Sequence, residues 1–536
     1  MRFIPVAVIA ALMVTPAAAQ DAGRTQINRI IDEGFNRSQV METAAHLTDR
    51  IGGRLTNSPQ MRQAETWTQQ RFRQWGLTNV RAEPFEFGRG WSIVSSSARM
   101  TSPRVIELKA IPVAWTPPTN GTIGGPIVVA PIDQEKDFVK WRGKLSGRIV
   151  LVSHPGTGSE PKEPPFKRLS DKELSELDQY KQPTHANPVR DPRVKRRKFP
   201  LALDAFLKSE GALAWVRISA RDGGLLHGTG YTHRLGETPS LPAMELAAED
   251  YRRLARLAKT EAQPVLELTS NVRFHDEDVN AYNVLADIAG SDLRAGYVMA
   301  GAHFDSWVAG DGAQDNAAGT AVVMEAARIL STLGVKPKRT IRFALWNAEE
   351  QGLLGSLAYI DRYIASRPRE TDPEKAKLPW NFGWAYRYPI TPKPGHRDLT
   401  AYFNIDNGSG KIRGIHAEGN VAAVPVFQEW LAPFASMGAS TVAASPTSGT
   451  DHVFLQSVGI PGYQFIQDPL DYDARIHHTS VDTYDHLKAE DMRQAAVVLA
   501  SVLLSAANRA EPLPRMPVPS QPRPSDPFAY PDDEDE

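Results

Sequence analysis

From residue 280 onward the chain alternates uninterrupted apolar runs with helix-like segments, and that pattern admits few architectures. The runs are "AYNVLADIAG", "GYVMAGAHF", "TIRFALWNA", "LTAYFNID" and "GYQFIQD", with "NAAGTAVVMEAARILSTL" and "GLLGSLAYIDRYI" between some of them. A strand that is apolar without alternation must be covered on both faces, so the sequence predicts an α/β fold with a mostly parallel central sheet between helices. Ligands in such folds gather at the carboxyl ends of the strands.

Those ends carry ionisable residues. "GAHFDSW" closes its run with His303 and Asp305, two positions apart and so on one face of a strand. A histidine that binds metal usually has its second nitrogen held by a carboxylate or carbonyl, which suits this pair as a ligand and its support. "AQDNAAGT" places Asp315 before a helix, where it also fits a cap. "WNAEEQGLLGS" sets Glu349 beside Glu350 at a helix start, an arrangement the helix dipole alone would favour. "YFNIDNG" ends in Asp406, also suited to a turn, and "RIHHTSVDTYDHL" brings His477, His478 and Asp482. Each has an ordinary structural reading; together they are nitrogen and oxygen donors at neighbouring strand ends, a mixture suited to a pair of zinc or similar divalent ions.

The rest of the chain limits the alternatives. Its 536 residues exceed what one core usually serves. Net charge is −1 with both signs mixed, which gives no long-range attraction for nucleic acid or an anionic membrane. Residues 1–19 read as a secretory signal peptide: Arg2, an apolar run from Phe3 to Val14, then Ala17, Ala18 and Ala19 before a cleavage point. That run is shorter than the roughly 20 residues a spanning helix needs, and no later segment reaches that length, so stable membrane insertion is not expected. A periplasmic or secreted location follows as an expectation. The absence of cysteine excludes disulfides, thiolate metal sites and a cysteine nucleophile. "GTGSEP" and "NGSGK" lack the Gly-x-Ser-x-Gly elbow of a serine hydrolase.

Ser58 and Pro59 open a helix expected to stop at Gly76. Between residues 102 and 273, short β-rich runs separated by Gly and Pro indicate an inserted β/α domain, leaving 20–101 and 274–510 as the main domain. Within the insertion, 158–200 reads as a solvated loop. Residues 511–536, with eight prolines and the ending "PDDEDE", read as a disordered tail.

The ordered series "GAHFDSW", "QDNAAGTA", "WNAEEQGLLGS", "NIDNG" and "HHTSVDT" resembles the co-catalytic di-zinc aminopeptidases, most nearly their carboxypeptidase Q branch. The likeness extends from about Asp21 to Ala510 and includes "DRIGGRLTNSP" and the insertion, which resembles a protease-associated domain. It implies two zinc ions per chain, His303 and Asp406 completing one site, Glu350 and His478 the other, and Asp315 bridging them. It further implies that Asp305 orients His303 and that Glu349 is the general base. His478 matches the family ligand because Thr479 follows it, and His477 is then a neighbour or cleft wall. "SGTDHVFLQSVGIPG" makes Asp451 and His452 candidates for substrate contact. The activity implied is exopeptidase cleavage of short peptides, dipeptides or N-terminal residues; a homodimer is compatible with the family. The alternatives are a glutaminyl-cyclase-like transferase using one zinc and a catalytically inactive binding protein of the same fold.

Overall fold

The computed structural model describes residues 16–520 apart from 160–163, 178, 180–191, 374, 377 and 448. Its main domain is built on an eight-stranded sheet in the spatial order Thr78–Glu86, Asn280–Ile288, Thr340–Trp346, Tyr297–His303, Leu399–Asn404, Gly462–Gln467, Ile412–His416 and Thr441–Ala443. The four strands at its centre, from Thr340–Trp346 to Gly462–Gln467, are mutually parallel. Antiparallel pairs flank them on both sides. The parallel expectation therefore holds at the centre. It fails after Asn280–Ile288 because the short connection to Tyr297–His303 holds only the turn Leu293–Ala295, too little for a crossover helix.

Both faces are covered, as unalternating apolar strands require. Val298, Ala300 and Ala302 enter one buried cluster with the helices Ala318–Thr332 and Ala489–Asn508, while Met299 enters another with Trp346, Leu357 and Tyr402. The helix Pro59–Gln74 starts where expected: Ser58 Oγ accepts from the Met61 amide at 3.1 Å, and Gly76 follows its end with φ +80°.

The second sheet also has eight strands and belongs to the insertion. It begins earlier than the sequence suggested. Gly90–Ser102 pairs antiparallel with Val265–His275 along nearly its whole length, so these strands form the stem by which the chain leaves and re-enters the main domain. The exposed serines at the centre of the first strand lack apolar alternation, which is why composition placed the boundary near 102.

Two further expectations are corrected. The described parts of 158–200 are not a plain solvated loop. Ser170 caps the helix Asp171–Glu176 through a capping box, and Pro192–Ser209 is helical. Between them and the stem, Lys167 exchanges two main-chain hydrogen bonds with Leu470, while Arg168 pairs with Asp468 at 3.0 Å and Asp491 at 2.7 Å. Leu174 packs on Ala443 and Ile466, so this segment straps the insertion onto the far side of the main sheet. Its contacts join residues about 300 positions apart, beyond the reach of any local pattern. The expected tail likewise starts later: Leu513 is buried, the Asn420 amide donates to Pro514 O at 2.6 Å, and Arg515 donates to His396 O. Residues 521–536, and residues 1–15 of the expected signal peptide, lie outside the described residues. Among the described residues no helix is long and apolar enough to cross a membrane.

The insertion carries its own buried ion pair. Glu245 accepts from Arg217 Nη2 at 2.6 Å and from the His227 amide at 2.6 Å. Burial alone would raise the Glu245 carboxyl, but His227 and Arg217 outweigh it and hold it at about 2, against an ordinary 4.5. A depressed folded-state value means the stabilisation is fully present above pH 4.5 and is lost as pH falls from there towards 2. Glu245→Gln is therefore expected to cost about 3 kcal/mol near neutral pH and to flatten the loss of stability across that acid window. Denaturant unfolding of both proteins at pH 7 and pH 3 measures it, and equal stability at pH 7 would contradict it.

Candidate metal centre

The parallel register sets the site. His303 ends its strand opposite Trp346, the last residue of the neighbouring strand, so the turn carrying Glu349 and Glu350 emerges beside it. Leu399–Asn404 runs parallel on the other side and releases Asp406 at the same edge. Asp315 lies just before the helix Ala318–Thr332 with non-helical φ −123° and ψ 85°. His478 comes from the loop after Gly462–Gln467 and takes φ 63°, a left-handed conformation uncommon for a residue with a β-carbon.

These side chains converge. His303 Nε2 lies 3.1 Å from Asp315 Oδ1 and 3.1 Å from Asp406 Oδ1. His478 Nε2 lies 3.2 Å from Asp315 Oδ2 and 2.9 Å from Glu350 Oε2. Asp315 thus faces one imidazole with each of its oxygens. The imidazoles of His477 and His478 stack with centroids 3.7 Å apart, and His477 Nε2 is 3.8 Å from Asp315 Oδ2. Two sets of donor atoms are close enough to share an ion: His303, Asp315 and Asp406; and Asp315, His477 and His478.

The electrostatics suit cations. Burial opposes charge on His303, but Asp406, Glu349 and Asp315 outweigh it and hold the imidazole well above its ordinary range. Burial likewise opposes charge on His478, yet Glu350 and Asp315 push it up to about 12. Burial acts to raise Asp315 too, but the two histidines hold it well below. Burial pushes Glu350 up to about 7, and burial with the charges of Asp406 and Glu350 pushes Glu349 well up. Glu350 Oε1 is buried without a hydrogen-bond partner. A largely buried cluster of four carboxylates with two imidazoles and an orphaned carboxylate oxygen fits divalent ions, for which the imidazoles release their protons.

Supporting contacts refine one expectation. His303 Nδ1 meets the main-chain carbonyl of Asp305 at 3.1 Å, while the nearer carboxylate oxygen is 3.8 Å away. The Asp305 carboxylate instead accepts the amides of Glu349 at 3.1 Å and Glu350 at 3.3 Å, and the Thr56 hydroxyl at 3.1 Å. One residue thereby fixes both the histidine and the glutamate turn. Asp482, to which the family resemblance assigned no role, accepts the amides of Gln314 and Asp315 at 2.7 and 3.1 Å and holds the Asp315 turn. Asn316 Nδ2 donates to Asp406 Oδ1 at 3.0 Å. The signal for both was adjacency to a candidate ligand or its motif.

Asp451 and His452 are the candidates for substrate contact. Both are fully buried, because Asp451 leads into the helix His452–Gln456, which packs under the sheet. The insertion borders the site. Leu226 O accepts from the Ser480 amide at 2.8 Å, two residues beyond His478, and Tyr231 meets Trp307 edge-on, which in turn meets the His478 ring.

An α/β sandwich whose parallel strand ends carry this centre defines a metallopeptidase. Residues 283–503 match the family described as Peptidase family M28. That match spans the strands and loops that carry the centre and supports a zinc metallopeptidase. The chain is 26% identical over 499 residues to carboxypeptidase Q of Bos taurus, covering 92% of this chain and 90% of that one. It is 25% identical over 503 residues to carboxypeptidase Q of Homo sapiens, covering 93% and 91%. The fold is shared with a crystal structure of a Peptidase M28 precursor from Shewanella amazonensis, with a TM-score of 0.65, 23% identity and coverage of 93% and 99%. It is also similar to BSAP, a zinc aminopeptidase from Bacillus subtilis, with a TM-score of 0.55, 18% identity and coverage of 88% and 95%.

Proposed function

We propose that this enzyme is an exported di-zinc exopeptidase that hydrolyses dipeptides or removes N-terminal residues from short peptides. The observation that carries the reading is Asp315, whose two oxygens face His303 and His478 at 3.1 and 3.2 Å. In this reading His303 and Asp406 would hold one ion, Glu350 and His478 the other, and Asp315 both. Two divalent ions bound there would lower the pKa of water towards about 7 and polarise the scissile carbonyl.

The protein's own residues do the rest. Glu349 takes the proton of the attacking water and delivers it to the leaving amine, which requires that it stay free of the ions. Its neighbour Glu350 serves as ligand, and Asp305 holds both amides so that the two carboxylates take different directions. Tyr231 and Trp307 wall the site, so the insertion limits how long a peptide can lie across it. The leader over 1–19 directs export.

A dipeptide panel, free or blocked at each end and assayed before and after chelation, tests the reading. Removal of metal is expected to abolish hydrolysis, zinc to restore it, and N-blocked peptides to resist cleavage. Two ions per chain with hydrolysis sets this enzyme apart from a one-zinc cyclase and from an inactive binding protein; metal-independent cleavage or preference for N-blocked substrates would overturn it.

A further inference from the structure

A second cleft, of about 1040 Å³, lies where the insertion meets the peptidase domain, and its lining includes none of the metal-site residues. Seven cationic side chains line it against three acidic ones. Among the described residues Arg362, Arg367, Arg369, Arg387 and Lys393 form no ion pair with a carboxylate. Several spend their donors on neutral carbonyls instead. Arg362 Nη2 donates to Pro84 O at 2.6 Å, Arg367 to Arg387 O at 2.8 Å and Ser457 O at 2.6 Å, and Arg387 to Trp380 O at 2.6 Å. Such bonds hold the guanidinium groups in place without neutralising them. Arg367 is only 7% exposed and stacks on Trp384 and Tyr388, yet its Nε has no partner; nor has that of Arg387. A buried cation without a counter-charge is costly, so fixed positive charge here calls for an anion.

The shape selects among anions. A compact oxyanion is bound by donors that converge on one point. Here the cations come from separate segments and are interleaved with Phe85, Phe87, Leu354 and Trp380, the last of them 40% exposed. Thr78–Glu86 is also the outermost strand of the peptidase sheet, and its Phe85 and Glu86 line the cleft. An edge strand gives an extended chain a straight rim to lie along, here beside Pro84, whose carbonyl is held by Arg362. We propose that this cleft is an exosite for an extended acidic peptide segment, its carboxylates on the arginines and its apolar side chains on the aromatic shelf.

The test uses the full chain and a fluorescent peptide of alternating Glu and Leu, acetylated and amidated at its ends, followed by anisotropy. The Glu–Leu peptide is expected to bind, to weaken as salt rises, and to bind about tenfold more tightly than its Gln–Leu counterpart. The double variant R362E/R369E is expected to bind it about tenfold more weakly while dipeptide hydrolysis and thermal unfolding stay unchanged. Equal binding of the Gln–Leu peptide, indifference to the charge reversal, or displacement by inorganic phosphate as readily as by unlabelled Glu–Leu peptide would overturn the proposal. The probe is blocked at both ends and the readout is binding, so failure here leaves the hydrolase reading standing.

Discussion

Glu349→Gln is expected to lower peptide hydrolysis by a factor of roughly 10² or more while the protein keeps its metal and its stability. The substitution preserves volume and leaves the main chain of Glu349 and Glu350 on the Asp305 carboxylate, so the turn that aims Glu350 survives. What disappears is an oxygen basic enough to accept a proton. In the metal-free site, burial and the neighbouring charges of Asp406 and Glu350 raise the Glu349 carboxyl well above the ordinary range. Metal content and turnover, measured on the same preparation, decide the role. If zinc is lost together with activity, Glu349 is a ligand, and the assignment of base and ligand to adjacent glutamates fails. Glu350→Gln provides the contrast: it removes a charged oxygen 2.9 Å from His478 Nε2 and should cost metal first.

The features visible in the sequence were those set by local pattern. Five apolar runs became five strands of the peptidase sheet, because runs so short and continuously apolar suit strands buried on both faces. The residues at their ends meet because parallel strands bring their carboxyl ends to one edge, so His303, Glu350 and Asp406 share a place although up to 103 positions separate them. What escaped were relations that depend on the partner. Thr78–Glu86 and Gly90–Ser102 carry exposed residues and show their nature only through pairing with Asn280–Ile288 and Val265–His275. Arg168 is an unremarked basic residue in a charged stretch until Asp468 and Asp491 come beside it. Motif position carries no information about depth: Asp451 and His452 are both fully buried where the helix His452–Gln456 begins. Asp305 shows the finer limit. Its spacing from His303 placed it on the correct face, but whether its carboxylate or its carbonyl met the imidazole depended on the glutamate turn, which competes for the carboxylate.

Asp315→Ala is expected to have the larger effect on the metals themselves, removing both ions where loss of Asp406 removes one. Asp315 alone reaches both imidazoles, with Oδ1 3.1 Å from His303 and Oδ2 3.2 Å from His478, so its loss opens both ligand sets at once. Asp406 is 3.1 Å from His303 only, and Asp406→Ala should leave the His478 and Glu350 side able to retain metal. Asp482→Asn probes the layer behind. Asp482 touches neither imidazole but accepts the amides of Gln314 and Asp315, and groups that orient a ligand typically account for about 10–100-fold in metal affinity or activity. The expected order of metal loss is therefore Asp315→Ala, then Asp406→Ala, then Asp482→Asn, read as ions per chain after dialysis against graded chelator. A protein that still holds two ions without Asp315 would show that the two sites do not share it. The bridging geometry would then be a consequence of two histidines seeking the same buried charge, and the water-activating role proposed for the centre would have to rest on each ion separately.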